Sequence, residues 1–131
     1  MSGSGPGGMR AILDRRGLYL RRELGQNFLT DERMADRLAD LAGVGPDDLV
    51  IEIGTGLGVL TRALARRARR VITIEIDSGL VAALREESLL PEGVELIHAD
   101  ALRLDLGEFA RGSSTPVRVV ANLPYSAATP L

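Results

Sequence analysis

Short apolar runs rich in β-branched residues alternate with amphipathic stretches along most of this chain, and that alternation limits the fold more than any other feature. Apolar runs without internal polar alternation are typical of parallel strands covered on both faces. The predicted strands are 49–53, 71–76, 94–97 and 117–121. The predicted helices are 31–43, with Thr30 or Asp31 as the cap, 59–68 and 78–87. We therefore expect an α/β fold whose ligand site lies at the carboxyl ends of the strands.

Composition excludes several kinds of site. The 131 residues include no cysteine and one histidine, His98, so disulfides, thiolate catalysis and cysteine-ligated metal are excluded. A single histidine also makes zinc hydrolysis and Ser/His chemistry poor hypotheses, so we expect no metal. No apolar run approaches the ~20 residues that cross a bilayer, and the N-terminus lacks a signal-peptide pattern. The expectation is a cytoplasmic protein without a membrane partner.

The first predicted strand runs into the glycine-rich segment 54–58, with the sequence GTGLG. Glycines let the backbone turn tightly and let a ligand approach without meeting a Cβ. The segment also opens a helix, whose N-terminus is electropositive. Its G-x-G-x-G spacing differs from the G-x-G-x-x-G of dinucleotide binders, which favours a nucleoside without a pyrophosphate over NAD. A purely structural turn is the alternative.

Carboxylates lie at or just after the ends of the second and third predicted strands. Glu75 lies about 20 positions beyond the first glycine, where a carboxylate can accept hydrogen bonds from both hydroxyls of a ribose. Asp77 is expected to cap the next helix. Asp100 is an acceptor for the exocyclic amine of a bound adenine, with the Ala101 backbone serving the ring nitrogen. The alternative for each of these carboxylates is helix capping alone.

The fourth predicted strand ends in Asn122-Leu123-Pro124-Tyr125, the most specific local pattern in the chain. The exocyclic amine of adenine is a poor nucleophile because its lone pair is delocalised into the ring. The side-chain carbonyl of Asn122 and the backbone carbonyl of Leu123 can accept its hydrogens and favour a tetrahedral nitrogen. Pro124 stiffens the turn, and Tyr125 offers an aromatic face for a base taken out of its stack. A proline-containing loop with a structural tyrosine is the alternative.

Five motifs occur in an order that resembles one known family: LGQNFL at 24–29, EIGTGLG at 52–58, IEID at 74–77, DA at 100–101 and NLPY at 122–125. The chain resembles the KsgA-type small-subunit ribosomal RNA adenine-N6 dimethyltransferases, and the Erm-type enzymes of large-subunit RNA share most of the pattern. The resemblance implies a Rossmann-like class I methyltransferase fold, S-adenosylmethionine as cofactor, small-subunit ribosomal RNA as partner and a role in ribosome biogenesis.

The resemblance also implies site residues. The implied cofactor contacts are Asn27, Leu29, Gly54, Gly56, Glu75, Asp100 and Asn122. Among them, Asn27 and Leu29 would meet the methionine end, Glu75 the ribose and Asp100 the adenine. The implied catalytic set is Asn122, Leu123, Pro124 and Tyr125, with Asn122 beside the target amine and Tyr125 stacked on the target base.

The expected organisation is a flexible, basic N-terminal arm at 1–23, with linker composition at 1–8, natural or introduced for expression, followed by the methyltransferase core at 24–131. Compared with the family, this core is expected to lack the later strands and the C-terminal helical domain. Its fourth strand is therefore expected to be an exposed apolar edge that favours association. The oligomeric state itself is not predicted.

Two arginine clusters stand out against a net charge of −2. The first could meet RNA phosphates or be a solvated terminus: Arg10, Arg15, Arg16, Arg21 and Arg22. The second lies near a helix end, where cations complement the helix dipole, and the structural interpretation is favoured there: Arg62, Arg66, Arg67, Arg69 and Arg70.

Three further functions remain as alternatives to small-subunit RNA methylation. One is an Erm-type large-subunit RNA methyltransferase, and another is a module that binds S-adenosylmethionine or RNA without activity. A third is a DNA adenine methyltransferase, which Leu123 disfavours because those enzymes usually carry proline there. An NAD-dependent oxidoreductase is disfavoured by the glycine spacing.

Overall fold

A computed structural model describes residues 31–121 of the chain. The helices are α1 (Glu32–Leu41), α2 (Val59–Arg67), α3 (Ser78–Glu86) and α4 (Leu106–Arg111), with a 3-10 turn at Ala101–Arg103. The strands are β1 (Leu49–Ile53), β2 (Arg70–Glu75), β3 (Glu95–His98) and β4 (Val117–Ala121). Strand and helix therefore alternate along the chain, as expected.

The four strands form one parallel sheet in the order β3-β2-β1-β4. The chain moves outward from β1 through β2 to β3 and then returns to the other side of β1 for β4. This reversal creates a crevice outside the carboxyl ends of β1 and β4, the usual ligand position in such sheets. Within the described residues β4 is an edge strand, and Val119 is 54% exposed on it. The association expected at this edge stays a prediction.

The core is formed by the inner strands and the helices packed on them. Val50, Val71 and Leu64 are almost fully buried within it. Small residues at helical spacing, Ala35 and Ala39, let α1 approach α2 closely. Burial of this apolar surface is the main stabilising contribution to the fold.

Asp31 is the cap of α1, since its side chain accepts hydrogen bonds from the backbone N–H groups of Arg33 and Met34. α4 was not predicted from the sequence. Asp105 caps it by accepting from Gly107 N, and Glu108 three positions later completes the sequence pattern of a capping box. That pattern is the signal that could have revealed this short helix.

Arginines of the second cluster are bonded inside the chain. Arg66 and Arg67 reach the Asp36 carboxylate at 2.8 and 3.1 Å, and Arg67 also meets Asp40 at 2.9 Å, which joins α2 to α1. The Arg66 hydrogen bond, followed by that of Arg67, lowers the pKa of Asp36. Arg70 pairs with Glu95 at 3.0 Å. These contacts favour the structural interpretation of the cluster.

The Arg62→Met variant should be less stable than the wild-type chain by about 2 kcal/mol. Arg62 Nη1 donates to the carbonyls of Leu89 at 2.9 Å and Leu57 at 3.3 Å, and its side chain is only 13% exposed. The substitution leaves two partly buried acceptors without this donor, at about 1–3 kcal/mol for each fully desolvated group.

Urea unfolding of the chain measures this loss, and Arg66→Met is the matched control on the same helix. Arg66 is half exposed, so its ion pair should contribute no more than about 1 kcal/mol. Equal losses in the two variants would contradict the role given to Arg62.

Candidate functional site

The glycine loop 54–58 connects β1 to α2 at the carboxyl edge of the sheet. Gly54, Gly56 and Gly58 have φ values of 91°, 60° and 83°, in the left-handed region that L side chains rarely adopt. Gly54 N donates to Ile74 O of β2 at 2.8 Å, and Gly58 N donates to Thr55 O at 3.0 Å. The loop is therefore a defined turn, held by backbone hydrogen bonds, whose conformation requires glycine at these three positions.

Glu75 ends β2 beside this loop and is 7% exposed. Its Oε1 accepts from Gly56 N at 2.9 Å, and its Oε2 accepts from Asp77 N at 3.0 Å. An ionised carboxylate has about four lone-pair positions, so these two bonds leave acceptor capacity for a ligand. The sequence predicted a ligand carboxylate here but did not reveal that it also fixes the glycine loop.

Asp77 caps α3, as expected, by accepting from Gly79 N at 2.8 Å and Leu80 N at 3.1 Å. The side chain of the intervening residue, Ile76, is 61% exposed. An exposed isoleucine between two engaged carboxylates is an apolar surface on the rim of the site, and sequence analysis missed it. The signal in the sequence was Ile76 itself, an apolar residue between the two carboxylates of the IEID motif.

Asp100 follows β3, the neighbour of β2. Its Oδ1 accepts from Leu102 N at 3.0 Å and caps the 3-10 turn, while Oδ2 lies 3.8 Å from Arg103 Nε. Ala99 N donates to Glu75 O at 3.0 Å, which ties this segment to the end of β2. His98 is exposed, and its Nε2 lies 3.2 Å from Ile76 O. Capping is therefore one role of Asp100, and it uses Oδ1 alone among the contacts that the structure describes.

Glu52 of β1 is a buried carboxyl for which the sequence analysis gave no role. It is 0% exposed, and burial raises its pKa to about 7, with a smaller contribution in the same direction from the Glu75 charge. Hydrogen bonds from Thr61 and Thr73 act in the opposite direction. Within the described residues its Oε2 has no hydrogen-bond partner. One acidic residue inside the apolar strand LVIEI was the available signal.

Four predicted site residues thus lie at or just beyond the carboxyl ends of three adjacent strands, at one edge of the sheet: Gly54, Gly56, Glu75 and Asp100. The other predicted residues lie outside the described residues: Asn27, Leu29, Asn122, Leu123, Pro124 and Tyr125. Ala121, which precedes Asn122 in the sequence, pairs with Ile53, which precedes Gly54. The register of β1 and β4 therefore ends beside the glycine loop.

Within residues 31–121, no group of three or more histidine, aspartate and glutamate side chains is arranged to hold a metal ion. None of the helices in that same range combines the length and the apolar character that a membrane span needs.

A Rossmann-like parallel sheet with a glycine loop at the carboxyl ends of its strands is the fold of class I methyltransferases. Comparison with known proteins identifies the family. Residues 17–131 match the family model described as ribosomal RNA adenine dimethylase. The ribosomal RNA small subunit methyltransferase A of Geobacillus thermodenitrificans is 44% identical over 131 residues, covering 96% of this chain and 44% of the relative. The enzyme of the same name from Leuconostoc citreum is 43% identical over 127 residues. That match covers 93% of this chain and 42% of the relative.

Solved structures give the same result. The 23S rRNA methyltransferase ErmE superposes with a TM-score of 0.60 at 35% identity, over 76% of this chain and 38% of that protein. A dimethyladenosine transferase from Plasmodium falciparum superposes with a TM-score of 0.56 at 31% sequence identity. The match covers 75% of this chain and 34% of that protein. The chain belongs to the ribosomal RNA adenine dimethylase family and has the class I methyltransferase fold. It spans less than half the length of these curated relatives.

Proposed function

We propose that this chain forms the cofactor-binding part of an S-adenosylmethionine-dependent enzyme that dimethylates N6 of adenines in small-subunit ribosomal RNA. The observation that carries the proposal is the juxtaposition of Glu75 and the glycine loop, with Glu75 bonded to Gly56 N and still able to accept from a ribose. The family membership of the chain supports the reaction and the RNA class. A cytoplasmic place in ribosome biogenesis is part of the same proposal.

The described residues fit an adenosine-containing cofactor without a pyrophosphate. Gly54 and Gly56 present backbone without Cβ atoms, and Glu75 has lone pairs to spare for ribose hydroxyls. Asp100 Oδ2 is the proposed acceptor for the adenine amine, because capping occupies Oδ1. Asn27 and Leu29 are proposed to bind the methionine end. When bound, S-adenosylmethionine supplies an electrophilic methyl group on a sulfonium.

The work of the chain on the target base is assigned to residues 122–125. The Asn122 side chain and the Leu123 carbonyl accept the two hydrogens of the adenine amine and orient its lone pair. Pro124, with its fixed φ, is proposed to stiffen this segment, and Tyr125 is proposed to stack on the extruded base. Catalysis then comes from positioning and fixed dipoles, without a covalent intermediate on the protein.

Calorimetric titration of the chain with S-adenosylmethionine tests the cofactor assignment, with NAD as the control. Selective binding of S-adenosylmethionine is expected, since the glycine spacing and Glu75 suit a ribose but not a pyrophosphate. Binding of NAD with equal affinity would overturn the assignment.

Glu75→Ala should weaken binding of S-adenosylmethionine by about 10- to 100-fold, because a charge-assisted acceptor for the ribose is lost together with the Gly56 contact. The dissociation constant is measured by the same titration. Glu75→Gln, which keeps one acceptor oxygen for Gly56 N, should bind with intermediate affinity. Glu95→Ala is the control, since Glu95 is exposed at the amino end of β3, remote from the site. An unaltered constant in Glu75→Ala would contradict the ribose assignment.

A second candidate substrate is large-subunit ribosomal RNA, which the structural similarity to ErmE favours. Methyl transfer from labelled S-adenosylmethionine to unmethylated small-subunit and large-subunit RNA, offered separately to the full-length protein, distinguishes the two. Incorporation into small-subunit RNA alone is expected. Incorporation into large-subunit RNA alone would replace the first proposal with the second.

A further inference from the structure

Four fully buried polar side chains form a continuous hydrogen-bonded group beneath the glycine loop. Glu52, Thr55, Thr61 and Thr73 are each 0% exposed. Thr55 Oγ1 and Thr73 Oγ1 are 2.6 Å apart, and Thr73 Oγ1 donates to Glu52 Oε1 at 2.8 Å. Thr61 of α2 donates to the same carboxyl oxygen. The group therefore connects β1, β2, α2 and the loop in the interior of the protein.

The direction of the hydrogen bonds follows from counting protons. A threonine hydroxyl has one proton to donate. Because Thr73 donates that proton to Glu52, the proton between the two threonines must come from Thr55. Thr55 lies between Gly54 and Gly56, so the series of bonds begins inside the glycine loop and ends on Glu52.

We propose that Thr55, Thr73 and Glu52 form a buried chain of hydrogen bonds, called the relay below, that holds the glycine loop in the shape that accepts the cofactor. Thr73 and Glu52 are positioning residues in this proposal. This inference rests on the proposed function, since it assigns the relay to the same cofactor site. The relay residues contact one another and the loop rather than the ligand.

The neighbouring glycines explain why the loop needs such an anchor. Gly54 and Gly56 lack side chains and have the largest conformational freedom of any residue type, so a loop built from them loses the most entropy on becoming ordered. The Thr55 hydroxyl fixes the loop from the interior, and Glu75 fixes Gly56 N from the edge of the sheet. A loop that is ordered before binding does not have to be ordered by the ligand, which increases affinity.

The incomplete bonding of Glu52 supports a role beyond stability. Its Oε2 is buried without a partner among the described residues, and a partly satisfied buried polar group is less stable than a well-packed apolar residue. Such local conflicts are expected where a site needs a particular geometry. The position of Glu52, two residues before Gly54 on the central strand β1, is where such a geometry is needed.

Two isosteric variants separate positioning from simple stabilisation. Thr73→Val and Thr61→Val each remove one hydroxyl that donates to Glu52 Oε1, and both sites are fully buried. Only Thr73 also accepts from Thr55 of the loop. Both variants should lower the midpoint of thermal unfolding, Thr73→Val by more, because it also leaves the buried Thr55 hydroxyl without its acceptor. Thr73→Val alone should weaken binding of S-adenosylmethionine, by about fivefold relative to Thr61→Val, the effect of one hydrogen bond.

Amide hydrogen exchange of Gly56 in the unliganded chain is a second readout that needs no cofactor. Exchange should be about fivefold faster in Thr73→Val than in Thr61→Val, and Thr73→Ser, which keeps the hydroxyl, should restore both the exchange rate and the affinity of the wild type. Should Thr73→Val not fold, Thr55→Val cuts the relay at its loop end and is measured in its place.

Equal effects of Thr73→Val and Thr61→Val on Gly56 exchange and on affinity would overturn the relay. Failure of the proposed function has a different signature: the wild-type chain would not bind S-adenosylmethionine. In that case the exchange rates of Gly56 still decide whether the relay orders the loop.

Discussion

The free energy of unfolding of this chain is expected to fall as the pH rises from 5 to 8, by on the order of 1–3 kcal/mol on account of Glu52 alone. Burial raises the pKa of the Glu52 carboxyl from its ordinary value of 4.5 to about 7. Between these two values the folded chain holds a proton that the unfolded chain has released. Raising the pH through this window therefore favours the unfolded state, and above pH 7 the loss is complete.

Urea unfolding of the wild type and of Glu52→Gln at pH 5, 6, 7 and 8 tests this expectation. Glutamine keeps an oxygen that can accept from Thr61 and Thr73 but has no proton to release. The wild type should lose stability relative to Glu52→Gln as the pH rises, whereas Glu95→Gln, a change at an exposed glutamate, should follow the wild type. A difference between wild type and Glu52→Gln that stays constant across the four pH values would show that Glu52 does not titrate in this range.

Asn122→Ala is expected to reduce methyl transfer by about 100-fold or more while leaving the affinity for S-adenosylmethionine within a few-fold of the wild type. The reason is that Asn122 is proposed to act mainly on the target amine, as an acceptor that orients its lone pair. Single-turnover transfer of labelled methyl groups to small-subunit RNA by the full-length protein measures the first quantity, and calorimetry measures the second.

Asn122→Asp is the matched variant, since a carboxylate keeps an acceptor at the same position. It should retain more activity than Asn122→Ala. Unchanged turnover in Asn122→Ala would rule out the proposed role. A large loss of cofactor affinity with unchanged turnover at saturating cofactor would move Asn122 from the target amine to the cofactor.

Much of the fold was predictable because strand and helix periodicity are local properties. The strands 49–53 and 117–121 were predicted with the bounds that the structure shows, and the strands at 70–75 and 95–98 differ from prediction by one residue at each end. Strand ends depend on the register with neighbouring strands, which a single segment does not encode. α4 was missed because it has six residues, too few for a periodic pattern.

The location of the candidate site was also predictable from the sequence, whereas the contacts within it were not. The order and spacing of five motifs predicted the family, which the comparisons confirm, and placed Glu75, Asp100 and the glycine loop at one edge of the sheet. Motif order suffices for this because parallel strands joined by right-handed crossovers present all their carboxyl ends together.

Only the tertiary structure decided which groups contact one another. Glu75 and Gly56 are 19 positions apart, Thr55 and Thr73 are 18 apart, and Glu52 and Thr73 are 21 apart. Sequence patterns report the burial of each residue along its own element but not the partner across the sheet. The sequence therefore determined the edge at which the site lies. The packing of β1 against β2 decided that Glu52 accepts from Thr73 and that Glu75 holds the loop, because those contacts exist only once the strands are paired in register.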